Sequence, residues 1–363
     1  MAIVVVTGAS GHLGATLVRA LRARGQEVRA LVHQDRRALD GLDVEIARGD
    51  LADENSLRRA FAGADMVYNT AAYISILRGE LQRLYEVNVR GTRNVVEACL
   101  GSGVRRLVHV SSIEVLESEP LDQPVDESRP LVESGTFARG NAGRALEPLP
   151  RKSSLPYAHS KAAGERQVRK GIARGLDAVI LYPTAMIGPH DYRQGFPNAG
   201  LLAICEGRLV ALVDGGFNWV DVRDVAQGAL RAGDQAPSGA RYILSGHWAS
   251  LHDLAQLAEE ITGVHVPRLV FPLWAARIGA PFVAAASQLA GRRPLYTSEA
   301  LRPLRGNRHI SHERATRELG YQPRPLRQTV VDTLQWCECR GVLARQGPVP
   351  SASGQMIDFL GGE

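Results

Sequence analysis

Ile3-Val4-Val5-Val6-Thr7-Gly8-Ala9-Ser10-Gly11-His12-Leu13-Gly14 is the stretch that decides the fold. Four β-branched residues form a short strand, glycines recur at a spacing of three, and an amphipathic helical pattern follows from residue 15 to about residue 24. A strand, a glycine turn and a helix start in that order make a cradle for nucleotide phosphates, because the helix N-terminus presents free N–H groups. Gly8 allows the tight turn, Gly11 lets backbone N–H groups approach a pyrophosphate, and Gly14 lets the helix pack close to the strand.

Outward from this stretch, strands and helices alternate. Strands are predicted at 27–32, 44–47, 66–69, 107–110 and 178–182. Helices are predicted at 54–61 with Asp53 as cap, at 157–173, and as one long element over 80–100 with Leu81, Leu84, Val87, Val95 and Ala98 as its apolar stripe. Continuous apolar strands between helices indicate an α/β chain with a doubly wound parallel sheet covered on both faces. Residues 118–155 are rich in Pro, Gly, Glu and Ser and read as a lid-like loop. Beyond Pro183 the pattern is shorter and turn-rich, with an amphipathic helix at 251–261. The expected organisation is a dinucleotide-binding domain over 1–185, a smaller substrate-binding lobe over 186–345 with some segments returning to the sheet, and a tail from 346.

Bulk properties narrow the function. The 363 residues carry a formal charge of +5, spread without Lys/Arg blocks or interleaved aromatics, which argues against nucleic-acid binding. Cys99, Cys205, Cys337 and Cys339 are too few and scattered for a disulfide framework or a metal site. Met1 leads almost directly into the first strand, so no signal peptide and a cytoplasmic setting are expected. The apolar run 271–290 is broken by Pro272, Arg277, Gly279, Pro281 and Gln288, whereas a membrane span needs about 20 apolar residues. It reads as short helices over a pocket.

Tyr157-Ala158-His159-Ser160-Lys161 places a phenol and an ammonium one helical turn apart on one face. A phenol of pKa about 10 is a poor acid–base group at neutral pH, and a nearby positive charge favours its ionised form. Ser112 ends the fifth strand on the same sheet edge as the glycine turn, where its hydroxyl can orient a substrate oxygen toward the tyrosine.

These pieces, with Gly49-Asp50-Leu51, Asn88-Val89-Arg90-Gly91-Thr92, Ser111-Ser112-x-x-Val115, Pro183-Thr184-x-x-x-Gly188-Pro189, Val220-Asp221-Val222-Arg223-Asp224-Val225-Ala226 and Leu319-Gly320-Tyr321-Gln322-Pro323, resemble the extended short-chain dehydrogenase/reductase family, also called the NAD-dependent epimerase/dehydratase family. The likeness spans roughly residues 1–340 and is strongest to its dihydroflavonol-reductase and 3β-hydroxysteroid-dehydrogenase branch. It implies a Rossmann-like fold and a catalytic set of Ser112, Tyr157 and Lys161. It further implies that Gly8, Gly11, His12, Leu13 and Gly14 hold the pyrophosphate and that Asp50 and Leu51 meet the adenine. Ala71, Ala72 and Asn88 would line the cofactor channel, Lys161 would bind the nicotinamide ribose, and backbone at Pro183 would meet the carboxamide.

At the end of the second strand, where NAD-using members carry an acid, this chain has Val32, followed by His33, Arg36 and Arg37. Cations without a carboxylate suit a 2′-phosphate, so NADP(H) is favoured over NAD(H), with Asp35 as the dissenting residue. Two enzymatic readings stay open: a carbonyl reductase or alcohol dehydrogenase acting on a small-molecule carbonyl or alcohol, and a nucleotide-sugar epimerase or dehydratase. Tyr182-Pro183 and the arginine-free run 215–219 favour the first. Phe217, Trp219, Phe271, Trp274 and Phe282 suggest an apolar pocket. A non-catalytic cofactor-sensing protein is the third reading. Oligomeric state stays open: members of the family often dimerise through the helices at about 80–100 and 157–173, and the alternative stripe of Val96 and Leu100 would permit a homodimer here.

Overall fold

The computed structural model describes residues 2–75, 78–133, 156–209, 211–279, 301 and 303–343. β1 (Ile3–Thr7) lies inside a seven-stranded all-parallel sheet with β2 (Glu27–Val32), β3 (Glu45–Arg48), β4 (Ala64–Asn69), β5 (Arg106–Val110), β6 (Ala178–Pro183) and β10 (Arg241–Leu244). The strand order is β10-β6-β5-β4-β1-β2-β3. The order reverses between β1 and β4, and ligands in open α/β sheets bind at the carboxyl ends beside such a reversal.

The valine run of β1 is continuous because both sheet faces are covered. Val4 and Val6 join one core with Leu17, Val28, Val108 and Leu181, while Val5 faces another with Leu31, Phe61, Val67, Leu107 and Ile180. Each such side chain contributes about 1.5–3 kcal/mol relative to exposure. Helices α1 (His12–Ala23) and α7 (Val222–Gln235) cover the first face. Helices α2 (Glu54–Phe61), α4 (Thr92–Gly101) and α5 (Pro156–Ile172) cover the second. Asp53 caps α2 as predicted, accepting from Asn55 N at 3.0 Å.

The predicted long helix over 80–100 is broken. It consists of α3 (Leu81–Leu84), a π-helical segment (Tyr85–Gly91) and α4. The cause lies at Asn88. Its side chain accepts from Tyr73 N at 2.8 Å and donates to Tyr73 O and Ser160 Oγ, both at 2.9 Å. Widening the turn keeps Asn88 on that loop while Val95 and Ala98 still face the sheet; Val87, counted in the stripe, is only half-buried.

Beyond β6 the chain builds a second sheet of β7 (Ala185–Ile187), β9 (Gly216–Asp221) and β11 (His247–Ser250), plus the pair β8 (Leu212–Val213) and β12 (Val270–Phe271). Around it pack α6 (Phe196–Cys205), α8 (Leu251–Thr262) and α10 (Leu326–Cys339), sharing a core that includes Ile187, Leu201, Trp219, Leu254 and Trp336. Between these pieces α7 and β10 return to the first sheet, as does α9 (Glu313–Leu319), which packs on both.

The described part of the loop predicted at 118–155 has a definite job. Glu127 accepts the Ile243 N–H at 2.8 Å, and Val125 bonds His309 O and Ser311 N, so this segment covers edge strand β10. The rest of that loop, the tail from 346 and the apolar run beyond residue 279 lie outside the described residues. Leu273 packs with Leu301 and Leu304, but Phe271 and Trp274 are exposed. No described helix is long and apolar enough to cross a membrane.

Gly14 tests the tightness of the β1–α1 junction, because a Cβ there would lie 2.1 Å from the Gly8 carbonyl oxygen. Gly14→Ala is expected to destabilise the chain by about 1–3 kcal/mol through overpacking. Denaturant midpoints measure it, and an unchanged midpoint contradicts the close approach.

Candidate active site

The glycine turn has the shape that an anionic group requires. Gly8 sits at φ +64, and a Cβ there would lie 2.7 Å from Ala71 Cα. Gly11 precedes α1 without a side-chain cap, and the first turn of α1 carries no acid. The free N–H groups of this helix end therefore fit a dinucleotide pyrophosphate. Leu13 is buried in the core, so it and the glycines offer backbone alone. The His12 ring bonds Pro189 O at 2.9 Å, away from the turn.

The remaining predicted cofactor residues gather along the same sheet edge. His33 Nε2 is 3.3 Å from Asp50 Oδ2, both exposed. Arg36 is exposed, while Arg37 grips both carboxylate oxygens of Asp35, at 3.0 and 2.8 Å. That hydrogen bonding holds Asp35 at about 2, well below the ordinary carboxylate value. Leu51 is buried, and its carbonyl accepts from Asn94. Ala71 is half-buried and Ala72 exposed beside the glycine turn; Pro183 closes β6. Asn88 is fully engaged by Tyr73 and Ser160, so its side chain positions the 71–73 loop.

Helix α5 delivers Tyr157 and Lys161 to the end of β5. Lys161 is 3 % exposed and donates to Val110 O at 2.7 Å. Ser112 caps the short turn Ile113–Val115, and its hydroxyl is one of the groups that act on the Tyr157 phenol. Burial pushes the phenol above its ordinary value; the Ser112 hydroxyl opposes that shift and the Glu114 carboxylate adds to it. The Lys161 ammonium is turned to the strand-end carbonyl of Val110. The phenol thus keeps its proton, the state a proton donor requires.

Several residues that sequence reading passed over hold this arrangement. Glu165 is 0 % exposed. It accepts from Ser111 Oγ at 2.9 Å, from Tyr182 OH at 2.8 Å and from Arg169 Nη2 at 2.7 Å. The signal was its position one turn beyond Lys161. Thr7, Asn69 and His109 form a second polar row at matched register on β1, β4 and β5. Thr7 donates to Asn69 Oδ1 at 2.6 Å, and Asn69 Nδ2 lies 3.0 Å from His109 Nδ1. Burial drives the His109 ring far toward neutrality. The signal here was polar residues closing otherwise apolar strands.

An apolar cavity of about 110 Å³ lies in the C-terminal part of the chain. It begins at Ala185, just past β6, and Phe196, Leu201, Leu212, Phe217, Trp219 and Leu304 contribute its walls. Among the described residues, no charged side chain lines it. Two of the predicted pocket aromatics are therefore in place, whereas exposed Phe271 and Trp274 are not, and Phe282 lies outside the described residues. Val96, expected at a dimer face, is buried inside the chain beneath Gly171, and Leu100 packs on the same core.

Residues 4–244 match the family described as NAD dependent epimerase/dehydratase. The chain is 36% identical over 346 residues to sterol demethylase protein B of Methylococcus capsulatus, covering 93% of this chain and 99% of that one. It is 30% identical over 363 residues to a 4-hydroxy-2-methyl-3-oxo-4-farnesyl-3,4-dihydroquinoline-1-oxide ketoreductase of Stigmatella aurantiaca, covering 95% and 98% of the two chains. Among solved structures, gox2253 superposes with a TM-score of 0.77 at 30% identity, covering 95% of this chain and 100% of the other.

The Lys161 ammonium gives a pH signature. Burial lowers it to about 8, while an unfolded chain holds a lysine near its ordinary value of about 10.4. Between these values the unfolded state binds more protons, so this site's contribution to stability rises with pH. From pH 7.5 to 10 the unaltered chain is expected to gain about 2 kcal/mol over Lys161→Met in denaturant titrations. A pH-independent difference contradicts the buried ammonium.

Proposed function

This chain belongs to the NAD-dependent epimerase/dehydratase family of NAD(P)-dependent oxidoreductases, and we propose that it reduces an apolar ketone or aldehyde with NADPH, or oxidises the corresponding alcohol. The observation that carries this reading is helix α5, which brings Tyr157 and the buried Lys161 together to the end of β5, with the Lys161 ammonium bonded to Val110 O and Ser112 on the turn that follows. Gly8, Gly11 and Gly14, with the uncapped start of α1, would hold the dinucleotide, whose nicotinamide supplies or accepts hydride. Ser112 orients the substrate oxygen by hydrogen bonding. Tyr157 delivers the proton to that oxygen in reduction and removes it in oxidation. Lys161, bonded to Val110 O, stands beside them as the group that holds the ribose and supplies positive charge. The cavity beyond Ala185, apolar along its described walls, suits a hydrocarbon body. The names of the sterol demethylase and ketoreductase relatives agree with such substrates.

Tyr157→Phe is expected to abolish nearly all turnover while cofactor affinity stays within about threefold, since the phenol acts on the transition state. Unchanged turnover refutes the assignment. In a panel of alicyclic ketones, aldehydes and nucleotide-diphosphate sugars, net NADPH consumption is expected only with the carbonyl compounds. Sugar interconversion without cofactor consumption favours an epimerase instead.

The NADPH preference rests on Val32 closing β2 where a ribose-binding acid is expected, and on His33, Arg36 and Arg37 behind it. Asp35, the dissenting residue, is neutralised by Arg37. Fluorescence titration is expected to show tighter NADPH than NADH binding, and Arg37→Glu is expected to reverse the ranking. Tighter NADH binding by the unaltered chain overturns this choice.

A further inference from the structure

We infer that Arg193, from the part of the chain beyond β7, is a specificity residue for the cofactor's phosphomonoester, reaching the site at Ser10 and Asp35; this rests on the NADPH reading above. Residues 189–195 lie across the glycine turn and the start of α1. The His12 ring bonds Pro189 O at 2.9 Å, Arg19 Nη2 donates to Tyr192 OH at 3.0 Å, and Arg193 Nη2 donates to Ser10 Oγ at 3.2 Å. Every one of these contacts joins this segment to residues 10–19, the cradle that receives phosphates.

The shape of the segment is imposed from within. Asp191 is 4 % exposed and accepts from Gly195 N at 2.7 Å, Asn198 Nδ2 at 3.0 Å and Arg193 N at 3.3 Å. His190 and Gln194, neither of them glycine, sit at φ 69 and 49. Such backbone strain persists only where surrounding contacts over-determine it, and it clusters at ligand clamps. Here the strained residues flank the turn that aims Arg193 at Ser10.

The charges around that point are unbalanced toward an anion. Asp35 is engaged by both oxygens with Arg37, and Arg193 Nε reaches it only at 3.7 Å. Asp50 faces His33. Arg37 and Arg193 therefore meet around a single carboxylate, while Arg193 donates to a neutral hydroxyl and remains 54% exposed. A guanidinium with spare donors, beside a second one in another plane, suits a dianionic phosphate monoester. The nicotinamide cofactors differ in that group alone.

The test uses equilibrium binding by calorimetry with NADPH, NADH, 2′,5′-ADP and 5′-AMP on the full chain. Arg193→Ala is expected to weaken NADPH and 2′,5′-ADP by about tenfold or more, as for a lost charged hydrogen bond, and to leave NADH and 5′-AMP within about twofold. Arg193→Lys, which keeps the charge, is expected to recover part of the loss and covers the case of a poorly folded alanine variant. Equal weakening of all four ligands makes Arg193 a strap between the two halves of the chain and overturns the inference. An undiminished preference for NADPH in Arg193→Ala overturns it as well. An unaltered chain without preference for NADPH defeats the cofactor reading itself, and this inference with it.

Discussion

Glu165 is the charge on which the active edge depends. A carboxylate shut away from water is tolerated only when its oxygens are fully paired. Here Ser111 comes from the end of β5, Tyr182 from β6 and Arg169 from the next turn of α5. These bonds fix the rotation of α5 against the sheet. With the helix rotation set, Tyr157 and Lys161 have one place to go: the phenol against Ser112 and the ammonium against Val110 O. The Coulombic pull of Glu165 also opposes the loss of the Lys161 proton. Packing alone specifies rotation less sharply, because α5 carries Ala158, Ala162 and Ala163 on its buried side, and alanines offer little relief to lock.

A second ionic network joins the two halves of the chain. Asp221 ends β9 and caps α7. Arg223 grips it at 2.7 Å and reaches Asp332 on α10 at 2.6 Å. Arg324 pairs with Asp224 at 2.8 Å. The strand that lines the apolar cavity is therefore tied to the helix that covers the first sheet. Substrate cavity and nucleotide cradle share a frame. The same logic appears at residues 189–195, where the chain leaves β7 and lies down on the start of α1.

Much of the fold was legible because it rests on local rules. Both-face burial makes parallel strands continuous runs of Val, Ile and Leu, and the strand 27–32 and helix 54–61 fall where those patterns and the Asp53 cap put them. The glycine turn was legible because steric exclusion leaves glycine as the residue that fits. The failures are as physical. The helix over 80–100 was read with one period, yet a side-chain bond from Asn88 to a loop 15 residues earlier widened a turn. The direction of the Lys161 ammonium was not legible, because its strand-end partner, Val110 O, lies 51 positions away. Glu165, His109 and Arg193 were missed because each matters through a partner distant in sequence.

By itself, then, the sequence determined the strand–turn–helix opening, the doubly wound parallel sheet, the uncharged strand end before His33, and the turn of helix that carries a phenol and an amine together. Those follow from sterics, periodicity and hydrophobic burial among near neighbours. Only the tertiary structure decided which way the ammonium points, which aromatics wall the cavity, and that an arginine from the second half of the chain lies over the first. These depend on the desolvation of charges and on contacts across as many as 183 positions, and neither is written in the spacing of residues along the chain.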